Sequence, residues 1–234
     1  MISSRVCVMC NISKSKLYRT STFFFAIACF VMSQAVMAAD KKEAVSEVEI
    51  KEILNSHLDS ISRLANGDKL QNLMSQLYAS PQSIDNIRKV SATWKTEQPN
   101  STKDKILNGE IGQFIDVRMK KSANVYSRGY ILDKKGVVVG ASPITENYWK
   151  IGDKLFLDVY ADKTGKGVIS PRVHDNLTDQ DVYWIAVPVK NQLQKFLGVM
   201  VMGIKADHVV THAQENRMLN KDGKDGNSAM HHGH

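Results

Sequence analysis

The hydrophobic spacing of this chain changes character near residue 114, and that change restricts the folds open to it. Before it, Val45, Val48, Ile50, Ile53, Leu54, Leu58, Ile61 and Leu64 recur largely at three- and four-residue steps, with Lys, Glu and Ser between them. That spacing predicts a helix over 42–66 with one apolar stripe. Asn66-Gly67-Asp68 interrupts it, and Gly67 is the candidate for a left-handed helix end. A second helix is expected over 70–78, ending before Ser80-Pro81. A third is expected over 82–95, with Ile84, Ile87, Val90 and Trp94 on one stripe. Residues 97–101 read as a loop, and 102–108 as a short helix stopped by Gly109.

Beyond that point the runs favour strands. Phe114 to Met119 leads into Val125 to Leu132, and Val137 to Ser142 follows after Asp133-Lys134-Lys135-Gly136. Two β-rich runs around a short Gly-containing turn make a hairpin. Residues 167–170, 182–189 and 197–204 are three further strand candidates, the last two joined by a polar connection over 190–195. Val199 to Met202 is an unbroken apolar run, as in a strand covered on both faces. A brief helix is expected after Ala206, and 216–234 reads as a disordered polar tail. Helices first and about five closely linked strands second predict an α+β fold with an antiparallel sheet.

The N-terminus carries a different signal. Arg5, Lys14, Lys16 and Arg19 precede the apolar run Phe23 to Met32, and Val36-Met37-Ala38 supplies small residues before Ala39-Asp40. Basic head, short apolar middle and small-residue exit read as a secretory signal over 1–38, so export to the periplasm is expected. Two alternatives remain at this level. One is an uncleaved anchor, although the strongly apolar part is well short of the roughly 20 residues a span needs. Cys29 could instead mark a lipoprotein.

All three cysteines, Cys7, Cys10 and Cys29, lie in that leader. A mature chain without cysteine has no disulfide, thiol nucleophile or thiolate metal site. Its 196 residues suffice to bury a core as one domain over 39–215. The formal charge of +7 also shrinks, because without the four leader cations 27 Lys plus Arg face 24 Asp plus Glu. So mild a surplus gives no case for a nucleic-acid partner.

Five segments in fixed order resemble the extracytoplasmic PDC or Cache sensor domains, PAS-like modules of bacterial receptors. Ile87 to Trp94 is similar to the helix before the sheet, which ends in a Trp. Tyr130 to Ser142 is similar to the hairpin with its aspartate-to-glycine turn. Thr145 to Asp153, with Tyr148-Trp149, is similar to the segment that follows. Val187-Pro188-Val189 and Leu197-Gly198-Val199 are similar to the closing strand pair. The resemblance covers about 45–208. It implies long N-terminal helices against an antiparallel PAS-like sheet, with a small-molecule pocket on one side of the sheet. Such domains normally sit beside membrane spans. Here only a short helix and a polar tail follow the sheet, so a membrane receptor or signalling protein in trans is the expected reader.

The resemblance makes Tyr148 and Trp149 the first candidates for a pocket wall; capping of the core is the other reading of the same pair. Asp153 is placed to bond a ligand amine or to fix its own loop. Arg118 has the chemistry to clamp a carboxylate, while Lys120 and Lys121 beside it suggest a solvated basic strip. Tyr130, Asp175 and Tyr183 complete the candidate set from strands and loops that line the pocket in similar domains. His208 and His212 share a helix face, but no third ligand completes a metal set, and no metal or other cofactor is expected. There is no nucleophile elbow, phosphate loop or dinucleotide fingerprint, hence no positive case for an enzyme. The expectation is a ligand-binding sensor module. Its alternative is a ligand-free interaction or scaffold protein of the same fold, with homodimerisation through the first helix.

Overall fold

A computed structural model describes residues 44–79, 81–96, 101–162 and 164–228. The proposed leader lies outside the described residues. Helix α1 (Glu47–Ala65) begins where Ser46 and Glu49 cap each other reciprocally, satisfying two otherwise orphaned N–H groups. Four further helices precede the sheet: α2 (Asp68–Leu77), α3 (Ile84–Thr93), α4 (Ser101–Asn108) and α5 (Glu110–Lys121). Then come β1 (Tyr126–Asp133), β2 (Val138–Ser142), α6 (Lys154–Ala161), β3 (Val168–Asp175), β4 (Gln180–Lys190), β5 (Phe196–Lys205) and α7 (Ala206–Ser228). The fold is α+β, and every strand pair in its five-stranded sheet is antiparallel, in the order β2-β1-β5-β4-β3.

Three local readings differ from the structure. Gly67 is not left-handed: its φ is −77°, and it precedes α2 as an extended N-cap. Phe114 to Met119 lies within α5 rather than leading in as extended chain, because Ile111 and Ile115, four apart, pack one helix face onto the core. The last helix runs on to Ser228 through positions read as a polar tail. Extending a docked helix requires no new nucleus.

The sheet is covered on both faces, which accounts for the apolar run in β5. On one face Ile131, Ile185, Met200, Met202 and Ile204 pack with Ile53, Leu54, Ile61, Met74 and Ile115 of the helices. On the other, Tyr130, Leu132, Val182, Trp184, Ala186, Val199 and Val201 pack with Ile87, Trp94, Tyr148, Phe156 and Val159. Residues alternate between faces at a period of two. An irregularity in the β1–β5 register falls between Tyr126 and Arg128. Tyr126 therefore joins the first face, although Arg128 and Tyr130 point to the second.

Helices α1 and α7 run side by side in opposite directions, with Glu49 meeting Arg217 near one end and His57 meeting His208 near the other. The imidazoles of His57 and His208 are 5.5 Å apart, and those of His208 and His212 are 5.8 Å apart. Tyr126 of β1 adjoins His57, and Arg118 of α5 and Glu215 of α7 act on the group electrostatically. Burial, then the charges of His208, His212 and Arg118, push His57 down from 6.5 to about 4. A histidine kept neutral in the folded state supports stability above pH 6.5, and that support is lost as pH falls from 6.5 towards 4. The free energy of unfolding in urea should therefore drop between pH 7.5 and pH 5 by on the order of 1 kcal/mol from this group, since solvent around the half-buried ring screens part of the shift. His57→Gln should flatten that slope; an unchanged slope would mean that the seam is well solvated.

Candidate functional site

The hairpin β1–β2 anchors everything over the second face of the sheet. Its turn is closed by Asp133, whose Oδ1 accepts the backbone N–H groups of Lys135 at 2.8 Å and Val137 at 2.9 Å. Gly136 takes φ +73° there, a conformation open to glycine at little steric cost. The segment from Pro143 to Asp153 then folds back along the hairpin. Val138 donates to the Tyr148 carbonyl at 3.0 Å, and Lys150 donates through its backbone to the Gly136 carbonyl at 2.7 Å.

Tyr148 and Trp149 hold this covering segment in place. Tyr148 is buried, stacks on Trp94 with ring centroids 5.1 Å apart, and donates its hydroxyl to Gln82 at 2.7 Å. Trp94 donates its indole N–H to the Thr145 carbonyl at 2.9 Å. Trp149 donates its indole N–H to the Lys135 carbonyl at 2.7 Å. Tyr148 also lines a narrow recess of about 60 Å³ with Tyr78, Gln82, Ile106 and Val138.

Beneath the segment lies a cluster of charged side chains. Arg128 and Asp175 are only 8% and 3% exposed. Arg128 donates Nη1–H to Glu146 at 3.0 Å, and its Nε lies 3.0 Å from Asp175 Oδ2. That Nε–H is not directed at the carboxylate and has no hydrogen bond among the described residues. The guanidinium also lies over the Trp184 ring at 4.9 Å. Lys150, 8% exposed, donates to Asp153 Oδ2 at 2.7 Å, and its Nζ is 5.4 Å from the Tyr130 ring centre. Two cations thus face three carboxylates around two aromatic rings.

The environment moves the titrating groups accordingly. Burial, reinforced by the Asp153 charge, pushes the Tyr130 hydroxyl far above its ordinary value. Burial also raises Glu146, but the Arg128 hydrogen bond and charge outweigh it, so this carboxyl sits below its usual range. Asp175 has a local duty as well, accepting from the Thr178 hydroxyl at 2.8 Å and the Leu177 N–H at 3.3 Å in the turn after β3. Glu146 belongs both to the cluster and to an open surface cleft of about 310 Å³, lined further by Trp94, Ile144, Thr145 and Leu177, with Lys95 and Lys103 at its edge.

Of the seven candidates read from the sequence, Tyr130, Asp153 and Asp175 converge on this cluster. Tyr148 and Trp149 adjoin it through the covering segment. Arg118 and Tyr183 lie on the other face of the sheet. Arg118 donates to the Tyr126 hydroxyl at 3.2 Å, and Tyr183 packs against the helical core. Sequence reasoning missed Arg128, Glu146, Lys150 and Trp184. The available signal was period two: Arg128 stands two residues before Tyr130 and four before Leu132 in an otherwise apolar strand. Among the described residues no group of three or more His, Cys, Asp or Glu is placed to hold a metal ion. No helix among them is long and apolar enough to cross a membrane.

No family model matches the chain, and no curated protein matches it in sequence. Solved structures do match. The ligand-binding domain of the Campylobacter jejuni chemoreceptor Tlp3, in complex with L-valine, is similar at 14% identity and a TM-score of 0.38, over 73% of this chain and 68% of that one. The ligand-binding domain of the Pseudomonas aeruginosa PAO1 amino acid chemoreceptor PctC, in complex with GABA, is similar at 15% identity and a TM-score of 0.36, over 67% and 63%. That of the Pseudomonas fluorescens chemoreceptor CtaA with L-serine stands at 14% and 0.34, over 69% and 63%. All three are ligand-binding domains of chemoreceptors.

Proposed function

We propose that residues 39–215 form a periplasmic small-molecule sensor module whose ligand enters by the cleft at Glu146 and binds the charged cluster beneath the covering segment. The observation that carries this reading is Arg128. A guanidinium more than nine-tenths buried, whose Nε lies 3.0 Å from Asp175 but has no hydrogen bond among the described residues, is costly for a fold that needs only packing. It suits a site that receives an acceptor from outside. Of the seven contacts expected from the sequence, this reading keeps Tyr130, Asp153 and Asp175 as ligand contacts and adds Glu146, Lys150 and Trp184 from the same cluster. Binding would shift the population of the covering segment, for a separate membrane protein to read.

A thermal-shift screen of amino acids, amines, organic acids and purines tests this, with valine, serine and GABA among the first compounds. A ligand at a hundredfold excess over Kd should raise the melting temperature by about 5–10 °C. Asp175→Asn and Glu146→Gln should each remove most of that rise. A silent screen, or a rise unchanged in both variants, rejects the site.

The scaffold reading has its own observation. Val48, Met218 and Leu219 are exposed where α1 begins and α7 continues. A dimer in light scattering that Val48→Asp together with Leu219→Asp abolishes would favour it.

A further inference from the structure

Lys150 is an unusual lysine. Its side chain is 8% exposed, and Asp153 is its one side-chain hydrogen-bond partner among the described residues. An ammonium has three donors, and lysine is seldom buried without fuller pairing. The backbone forces it inward: Lys150 N–H is tied to the Gly136 carbonyl, and the Tyr148 carbonyl is tied to Val138. Asp153 is affected too. It occupies the N-cap of α6, yet its side chain makes no capping hydrogen bond; it turns to Lys150 instead. Nearby, the Tyr130 ring presents its face to the same ammonium.

A carboxylate and an aromatic face are the elements that recognise an alkylammonium group. With Lys150 withdrawn, the cluster would hold one cation, Arg128, against Glu146, Asp153 and Asp175. We infer that Lys150 is a tethered occupant of an ammonium seat, and that the ligand is a small primary-ammonium compound whose head group displaces it. The inference rests on the reading of this cluster as a ligand site. Exchange of one ammonium for another leaves the charge of the cluster unchanged, so displacement needs little electrostatic work. It releases Lys150 to water and frees the covering segment, which couples occupancy to conformation.

The test is chemical rescue in the full chain. Lys150→Ala should melt lower than the wild type. n-Propylammonium chloride, which replaces the deleted atoms, should restore the melting temperature saturably, whereas sodium chloride and sodium propionate at equal ionic strength should not. The wild type should need about tenfold more of the amine or above, because its seat is already filled. Lys150→Ala combined with Asp153→Asn should lose the rescue. A response equal to that of sodium chloride overturns the inference, as does equal sensitivity of wild type and variant. A second measurement avoids any variant: acetic anhydride labelling of Lys150, read by mass spectrometry, should rise several-fold when the amine or a screen hit is bound. If a hit binds in an Asp175-dependent way while Lys150 labelling stays constant, this inference falls and the sensor reading stands. If no compound binds the cluster, both fall.

Discussion

Arg128→Met is expected to lower the free energy of unfolding by about 3–5 kcal/mol, the range for breaking a buried ion pair from one side. The methionine fills most of the arginine volume, so the loss is chiefly electrostatic. Asp175, 3% exposed, would keep its charge with only Thr178 and Leu177 as donors. Glu146 lies at the cleft and would be resolvated at little cost. Urea denaturation measures the change. A double variant, Arg128→Met with Asp175→Asn, should lose clearly less than the two single changes together, because removing both charges leaves neither stranded. A loss of about 1 kcal/mol or less for Arg128→Met would put the pair in the range of solvated surface bridges. The cluster would then be wet, and the unpaired Nε–H would have water as its partner.

Trp94→Ala is the second large effect, expected at about 3–5 kcal/mol for a buried aromatic truncated to a methyl group. Trp94 is 3% exposed, stacks on Tyr148 and donates to the Thr145 carbonyl. Thr145 and Tyr148 flank Glu146, so the indole clamps the stretch that carries one arm of the charged cluster. Trp94→Ala should therefore abolish ligand-induced stabilisation even at temperatures where the variant is folded. Trp94→Phe keeps the stacking and loses the hydrogen bond, so it should cost less, about 1–3 kcal/mol. Equal losses of ligand response in both variants would point to the hydrogen bond as the clamp.

Much of the fold was legible in the chain because it is written in local periods. The stripe from Val45 to Leu64 announces α1, and Asp133 with Gly136 announces the hairpin turn. The polar connection over 190–195 separates two strands that do pair. Where reading failed, local signals were balanced. Phe114 to Met119 alternates loosely enough to pass for extended chain, and α5 forms because Ile111 and Ile115 meet the core on one helix face. Three of the site candidates reached the cluster because aromatic and acidic residues on a resembling framework are visible as residue types. Arg128 and Lys150 were passed over because cations in a basic chain carry no mark of burial.

The sequence by itself determined the leading helices up to 108, the hairpin and the five strand segments, since these follow from hydrophobic spacing and turn chemistry within short windows. Tertiary structure alone decided that β5 inserts between β1 and β4 and that the register shifts between Tyr126 and Arg128. It also decided that Lys150 is held under the Gly136 turn rather than in water. Those outcomes depend on pairings between distant residues. One such pairing turns Arg128 from a surface cation into a buried one, and nothing within a few residues of it in the chain records that choice.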